Sequence, residues 1–325
     1  MTRRSRRHRT TVVVAGALVV ALGACGGSNA TAHPRPGTAA STPTPTTAAS
    51  VGGPANPCGA AATVPATYDH VIWVWMENHT ASDVIGNPDA AYTTTLARGC
   101  GSAARYASVG SPSLPNYIGA TSGSAQGIHD DDAPSSHPLT VDNLFRQVRQ
   151  AGKVERSYEE SMTVNCELAS SGLYAVKHNP AAYYVGGQDR AACQRDDVPL
   201  GNLSVGALRQ DLDRGSLPAF SFVTPNLCSD THDCPVRSGD AWLQQWMPIL
   251  LASSAYRQGH TAVFVVWDEP TPMPLVVVSP TTPPGAVEAA PVNHYALLRT
   301  AEELLGLPLL PGAATAPSLR GAFRL

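Results

Sequence analysis

Two short apolar runs in this chain end abruptly in acid. Val71-Ile72-Trp73-Val74-Trp75-Met76 leads straight into Glu77-Asn78-His79, and Val263-Phe264-Val265-Val266-Trp267 into Asp268-Glu269. Neither run alternates apolar with polar residues, so each reads as a strand covered on both faces, the signature of a parallel sheet between helices. The expected fold is α/β, a mainly parallel central sheet flanked by helices on both faces. Candidate strands are His70 to Trp75, Lys153 to Tyr158, Ala219 to Val223, Ala262 to Trp267 and Pro274 to Val278. Candidate helices, with apolar residues at three- and four-residue spacing, include Val141 to Ala151, Ser204 to Leu212, Asp240 to Ala255 and Tyr295 to Leu305. Ligands of open α/β sheets bind beyond the carboxyl ends of the strands. The acids that follow the two runs are therefore where chemistry is to be sought.

The N-terminus does not belong to that fold. Arg3, Arg4, Arg6, Arg7 and Arg9 precede an apolar run from Val12 to Leu22, about half the length a spanning helix needs, which reads as a signal peptide over residues 1–24. The run closes on Leu22-Gly23-Ala24-Cys25, similar to a bacterial lipobox, so Cys25 is the expected lipid attachment site; plain secretory cleavage is the alternative. Residues 25–56 are rich in Thr, Pro, Ala, Ser and Gly, cannot build a core and are expected to act as a tether. Residues 57–325 show no second linker and are read as one domain.

Losing those five arginines makes an already acidic chain, at formal charge −3, more acidic still. With only Lys153 and Lys177 as lysines and no basic patch, nucleic acid is excluded as a partner class. Of seven cysteines, Cys25 is set aside for the lipid, and the remaining six suit three disulfides outside the cytoplasm. Nearest-neighbour pairing is expected: Cys58 with Cys100, Cys166 with Cys193, and Cys228 with Cys234. The chain is expected to lie on the outer face of the cell membrane or to be secreted, as a monomer.

Carboxylates at strand ends are costly to desolvate without a partner, and a divalent cation would resolve that cost with oxygen ligands. Solvated loop acids are the plainer alternative for Glu77, Asp268 and Glu269. Spacing by itself does not choose between them.

An ordered series of motifs bears on the choice. Met76-Glu77-Asn78-His79, Ser113-Leu114-Pro115-Asn116-Tyr117, Tyr174-Ala175-Val176-Lys177-His178-Asn179-Pro180 and Thr224-Pro225-Asn226 come first. Asp230-Thr231-His232-Asp233, Gly239-Asp240-Ala241-Trp242-Leu243, Trp267-Asp268-Glu269 and Asn293-His294-Tyr295 follow. Over His70 to Leu307 this series resembles the bacterial phosphoesterase family of acid phosphatases and phospholipases C, which is similar to the alkaline phosphatase superfamily. The resemblance implies a hydrolase of phosphoric esters in which Ser113, at the start of a helix, is the nucleophile. It implies one divalent cation held by Glu77, Asp268, Glu269 and Ser113, with Asn78 donating to a phosphate oxygen. All-oxygen ligation favours calcium, magnesium or manganese over zinc. A single cation is expected because Asn226 stands where two-metal members have aspartate.

Asp230, His232 and His294 are assigned to phosphate binding or leaving-group protonation. Lys177 and His178 are assigned to stabilising charge on the transferring phosphoryl group. Each has a structural alternative: Ser113 as a helix cap, Lys177 as a solvated loop residue, the histidines as packing. Two departures from the family pattern stand out, Ser111 where many relatives have histidine and the proline-rich Pro270 to Pro274 after the Asp-Glu pair. The expected activity is an acid phosphatase acting on phosphate monoesters of small metabolites or lipid headgroups. A phospholipase C and a non-catalytic ligand-binding surface lipoprotein are the competing readings.

Overall fold

The computed structural model describes residues 51–325. The expected signal peptide, the lipid-bearing Cys25 and most of the tether lie outside the described residues. The last tether residues do touch the domain, since the Val51 N–H donates to the Arg257 carbonyl at 2.9 Å.

Ten strands are present: β1 (His70–Met76), β2 (Gly101–Ala103), β3 (Tyr106–Ala107), β4 (Glu155–Glu159), β5 (Asp197–Pro199), β6 (Phe220–Thr224), β7 (Thr261–Trp267), β8 (Leu275–Val278), β9 (Ala286–Glu288) and β10 (Val292–Asn293). Eight of them form one sheet in the order β5-β4-β6-β1-β7-β8-β2-β9, and β3 pairs with β10 in a small ribbon. Every neighbouring pair of the large sheet is parallel except the two made by β8. The reason is the connection: Asp268 to Pro274 is too short for a crossover, so the chain can only double back on β7. The mainly parallel α/β sheet expected from the apolar runs is the fold observed.

Alternation along β1 shows how both faces are covered. Trp73 and Trp75 point to one side, where they meet Phe222, and Trp75 meets Tyr117 of the helix Ser113–Ser122 and His294 of the helix His294–Leu305. Val74 points to the other side, into a group with Leu208, Leu212, Trp242 and Trp246 from the helices Ala207–Arg214 and Val236–Ala252. The five longest strands lie within one to two residues of their expected bounds. Among the described residues, no helix is long and apolar enough to cross a membrane.

The three disulfides are Cys58–Cys100, Cys166–Cys193 and Cys228–Cys234, the pairing expected. The first ties the start of the domain to the residue before β2. The second joins the segment after β4 to the helix Asp189–Asp196. The third closes a tight loop after β6.

Several acids away from the ends of β1 and β7 are also buried, and Glu302 is one of them. Glu302 accepts the Leu310 N–H at 2.9 Å through Oε1, while its Oε2 is buried without a partner. Burial pushes its pKa up to about 7. The folded state thus keeps a proton that the unfolded chain releases, and the resulting stability is full below the ordinary glutamate range and lost as pH rises through about 7. Glu302→Gln keeps an acceptor and removes the charge, so at about pH 8 it should be more stable than the parent by about 1–3 kcal/mol, with a smaller gain at about pH 5. Thermal melts at the two pH values check this, and an equal shift at both would refute the assignment.

Candidate active site

Four adjacent parallel strands, β4-β6-β1-β7, end on the same edge. Met76 of β1 is in register with Trp267 of β7, so the next residues, Glu77 and Asp268, emerge side by side. β6 runs into the loop 225–234 with Asp230 and His232, and the segment after β4 returns with Lys177 and His178. Backbone bonds tie the acids together. The Glu77 N–H donates to the Asp230 carbonyl at 2.8 Å, the Asp268 N–H to the Met76 carbonyl at 3.1 Å, and the Asn78 N–H to Asp268 Oδ1 at 3.1 Å.

Glu77 continues the face of Trp73 and Trp75 and so meets the helix Ser113–Ser122. The Ser113 hydroxyl donates to Glu77 Oε2 at 2.9 Å, and the Tyr117 hydroxyl, one helical turn on, donates to Glu77 Oε1. Ser113 is the first residue of that helix, where unpaired N–H groups and the positive end of the dipole favour an anion. Asn116 Oδ1 accepts the N–H groups of Val109 and Gly110 at 2.9 and 2.8 Å, folding the preceding loop back on the helix. Gly110 is needed there, because a Cβ would stand 2.5 Å from Pro115 Cβ.

His178 lies stacked on Tyr117, with rings 5.3 Å apart and 6° from parallel. Its Nε2 is 3.4 Å from Glu77 Oε2 and its Nδ1 is 3.2 Å from Asp230 Oδ2. His232 joins from the loop: its N–H donates to Asp230 Oδ1 at 2.7 Å, its Nδ1 contacts Asp233 at 2.7 Å, and its Nε2 is 3.3 Å from Lys177 Nζ.

The electrostatics are unbalanced. Burial, reinforced by the charges of Asp268 and Asp230, pushes the Glu77 carboxyl well above its usual range. Asp230 and Asp268 are each raised to about 7, mainly by burial. Burial pushes the His178 imidazole well below its usual value, so the ring is neutral. Three buried atoms are left without hydrogen-bond partners: His178 Nε2, Asp230 Oδ2 and Asp268 Oδ2. Such orphans are expensive unless something else takes their lone pairs. Glu77, His178 and His232 offer donor atoms that all lie within 4.8 Å of one another. The arrangement fits a divalent cation, which these residues could hold, and the Ser113 hydroxyl is bonded to one of them, Glu77.

Several expectations change in detail. The donors around Glu77 include imidazole nitrogen, so the all-oxygen shell, and with it the preference against zinc, no longer follows. Glu269 is half-exposed and its side chain makes no hydrogen bond to this group, whereas Asp230, expected to bind phosphate, sits among the acids. His294 is not available as an acid. Its two ring nitrogens contact the Tyr106 hydroxyl at 2.8 Å and the Asp268 carbonyl at 2.9 Å, and burial lowers its pKa to about 4. Asn78 is half-buried in left-handed backbone, φ 57°, and its N–H rather than its amide makes the contact within the site. Lys177 is held by Asp131 Oδ2 at 2.9 Å. Tyr117 and Asp131 were not assigned from sequence. Tyr117 stood within a quoted motif, and Asp131 within the conspicuous run Asp130-Asp131-Asp132.

The mainly parallel sheet is an alkaline phosphatase-like fold, and the family and curated relatives make the chain a hydrolase of phosphoric esters. The model of the phosphoesterase family matches residues 73–271, and the chain belongs to that family. It is 29% identical over 273 residues to the phosphatidylinositol-3-phosphatase of Mycobacterium tuberculosis, covering 80% of this chain and 85% of that protein. It is 24% identical over 260 residues to a phosphate-repressible acid phosphatase of Penicillium chrysogenum, covering 75% of this chain and 60% of the fungal protein. The fold is shared with an alkaline phosphatase superfamily protein from Vibrio parahaemolyticus, at TM-score 0.51 and 13% identity over 79% of this chain and 72% of that one.

The unbalanced cluster yields a stability test. With a chelator present at about pH 8, Asp268→Asn should raise stability by about 1–2 kcal/mol, because it removes one of three buried like charges and lets the new amide donate to Glu77. With a saturating divalent cation the order should reverse, the parent gaining more. Melting curves in the two conditions decide it. The same ranking in both would show that no cation is held by Asp268.

Proposed function

We propose that this chain is an extracytoplasmic, cation-dependent acid phosphatase that hydrolyses phosphate monoesters through a phosphoserine on Ser113. The observation that carries the reading is the Ser113 hydroxyl, at a helix start, bonded to a buried carboxylate beside three buried polar atoms without hydrogen-bond partners. A bare binding protein would gain nothing from burying such a set.

Ser113 directs its proton at Glu77 Oε2, which leaves an oxygen lone pair free for phosphorus. A divalent cation held by Glu77, Asp230, Asp268 and His178 would lower the pKa of that hydroxyl and offset the charge of the acids. The helix N-terminus and Lys177 supply positive potential to the transferring phosphoryl group. Asp233 orients His232 so that its Nε2 faces Lys177, and this pair supplies the proton a departing alkoxide needs. His294 acts as a positioning residue, bracing the Asp268 carbonyl. Water arriving from the leaving-group side then releases phosphate from Ser113.

Substrates are small phosphorylated metabolites or phosphorylated lipid headgroups. The resemblance to a phosphatidylinositol-3-phosphatase supports the second group. Three disulfides support a site outside the cytoplasm, and a lipid on Cys25 would anchor the chain there.

Ser113→Ala should lower kcat on p-nitrophenyl phosphate by about 1,000-fold or more with an unchanged circular dichroism spectrum. A chelator should abolish turnover and one of a panel of divalent ions should restore it. Full activity of the serine variant would remove the phosphoserine, and faster cleavage of phosphatidylcholine than of any monoester would replace the phosphatase by a phospholipase C.

A further inference from the structure

Beside Ser113 an acid already stands where a substrate anion would be received. Asp131 Oδ1 accepts the Leu114 N–H at 3.0 Å, and Asp131 Oδ2 accepts Lys177 Nζ at 2.9 Å. Leu114 follows Ser113, so its N–H is one of the free donors at the start of the helix. An amide at a helix start and an ammonium are the donors a phosphoryl group delivered to Ser113 Oγ would take. The carboxylate satisfies them as an anion would, with two oxygens on one atom. Asp131 also lines the cleft of about 380 Å³ that opens to solvent past Lys177, His232 and Asp233. Asp131 and Lys177 thus share one solvent-open cleft with His232. The partnerless His178 Nε2 lies 3.4 Å from Glu77 Oε2, the same oxygen that takes the Ser113 hydroxyl, so the ligand-bearing ground adjoins the nucleophile.

We propose that Asp131 is an internal stand-in for the phosphoryl group, a specificity-determining residue that holds the Leu114 N–H and Lys177 until a substrate oxygen displaces it. The inference rests on the reading of Ser113 as nucleophile. Its consequence is a threshold. Above the second pKa of the monoester, about 6, a doubly charged monoester outcompetes a singly charged carboxylate for a helix start and an ammonium, whereas a singly charged diester or sulfate ester gains little by the exchange.

The test is the inhibition constant of inorganic phosphate against p-nitrophenyl phosphate, measured on the cation-loaded enzyme at about pH 8, where the phosphate is doubly charged. Asp131→Asn keeps an acceptor for Leu114 but releases Lys177, and Asp131→Ala releases both. Phosphate should bind about 5-fold more tightly to the first and at least as tightly again to the second. Asp132→Asn makes the same change of charge at an exposed neighbour and should shift the constant less than about 2-fold. In a Lys177→Met background the gain from Asp131→Asn should disappear.

Weaker or unchanged phosphate binding in both Asp131 variants would overturn the proposal and leave Asp131 as a brace for Lys177. So would an equal effect from Asp132→Asn. Turnover by Ser113→Ala would instead defeat the nucleophile. Phosphate binding to Ser113→Ala and to Ser113→Ala with Asp131→Ala, followed by calorimetry, reads the stand-in independently of catalysis, and a common melting temperature shows that these variants are folded.

Discussion

Three carboxylates meet with no exposed surface among them, and the rest of the site is arranged around that fact. Glu77 and Asp268 are neighbours because β1 and β7 are paired in register up to their last residues, and Asp230 is joined to Glu77 through the backbone. Like charges this close in a low-dielectric setting raise one another's pKa and would hold protons near neutrality. Two hydroxyls, from Ser113 and Tyr117, take up both oxygens of Glu77, yet Asp230 and Asp268 each retain an oxygen with no partner. A fold that keeps such a cluster does so for what it holds. A cation bound there would add folding free energy as well as chemistry, and stability and activity would then share one source.

The parts of this arrangement written in local sequence were those with a strong period or an abrupt boundary. The apolar runs of β1 and β7 are continuous because Trp73 and Trp75 face one helical layer while Val74 faces the other. Their acid ends were visible for the same reason. What escaped is short or evenly buried. β2, β5 and β9 have three residues each, too few for any pattern to emerge. The helix Ser113–Ser122 is buried at every position, so it has no polar stripe to betray its period. The helix Ala91–Gly99 follows its first alanine with Tyr-Thr-Thr-Thr, a run of poor helix formers. It stands because Asp240 accepts the N–H groups of Tyr92 and Thr93 at 3.0 and 2.7 Å, a contact across 148 and 147 residues.

The candidate site was legible in its residue types and less so in its roles. Resemblance pointed to Glu77, Ser113, Asp268 and His178, and the fold brings them together. It did not separate the histidines by task, because a task depends on what each nitrogen touches. His294 is closed at both nitrogens, His178 has one with no hydrogen-bond partner, and His232 is turned by Asp233 toward Lys177. The motif Gly239-Asp240 shows the converse, a signature that serves packing. A Cβ on Gly239 would lie 2.4 Å from Thr231 Cγ2 and 2.7 Å from Met76 Cε, so glycine lets the helix Val236–Ala252 close on the loop that carries Asp230.

That loop makes a stricter demand than the strands do. Residues 225–234 have no ladder to fix them, yet Asp230 and His232 must be set as accurately as Glu77. Local bonds do the work: Asn226 Oδ1 accepts the N–H groups of Cys228 and Ser229 at 3.0 Å each, and the Thr231 hydroxyl donates to the Glu77 carbonyl at 2.8 Å. Thr231 itself is held at φ 81°, a conformation a β-branched residue adopts only under constraint from its surroundings. The Cys228–Cys234 bridge closes the same few residues covalently. Aspartate at position 226 could accept the same two N–H groups, but it would add a further charge beside the acids already there. Asparagine provides the turn without that charge, which is how a loop of this kind orders Asp230 and His232 without deepening the repulsion it must contain.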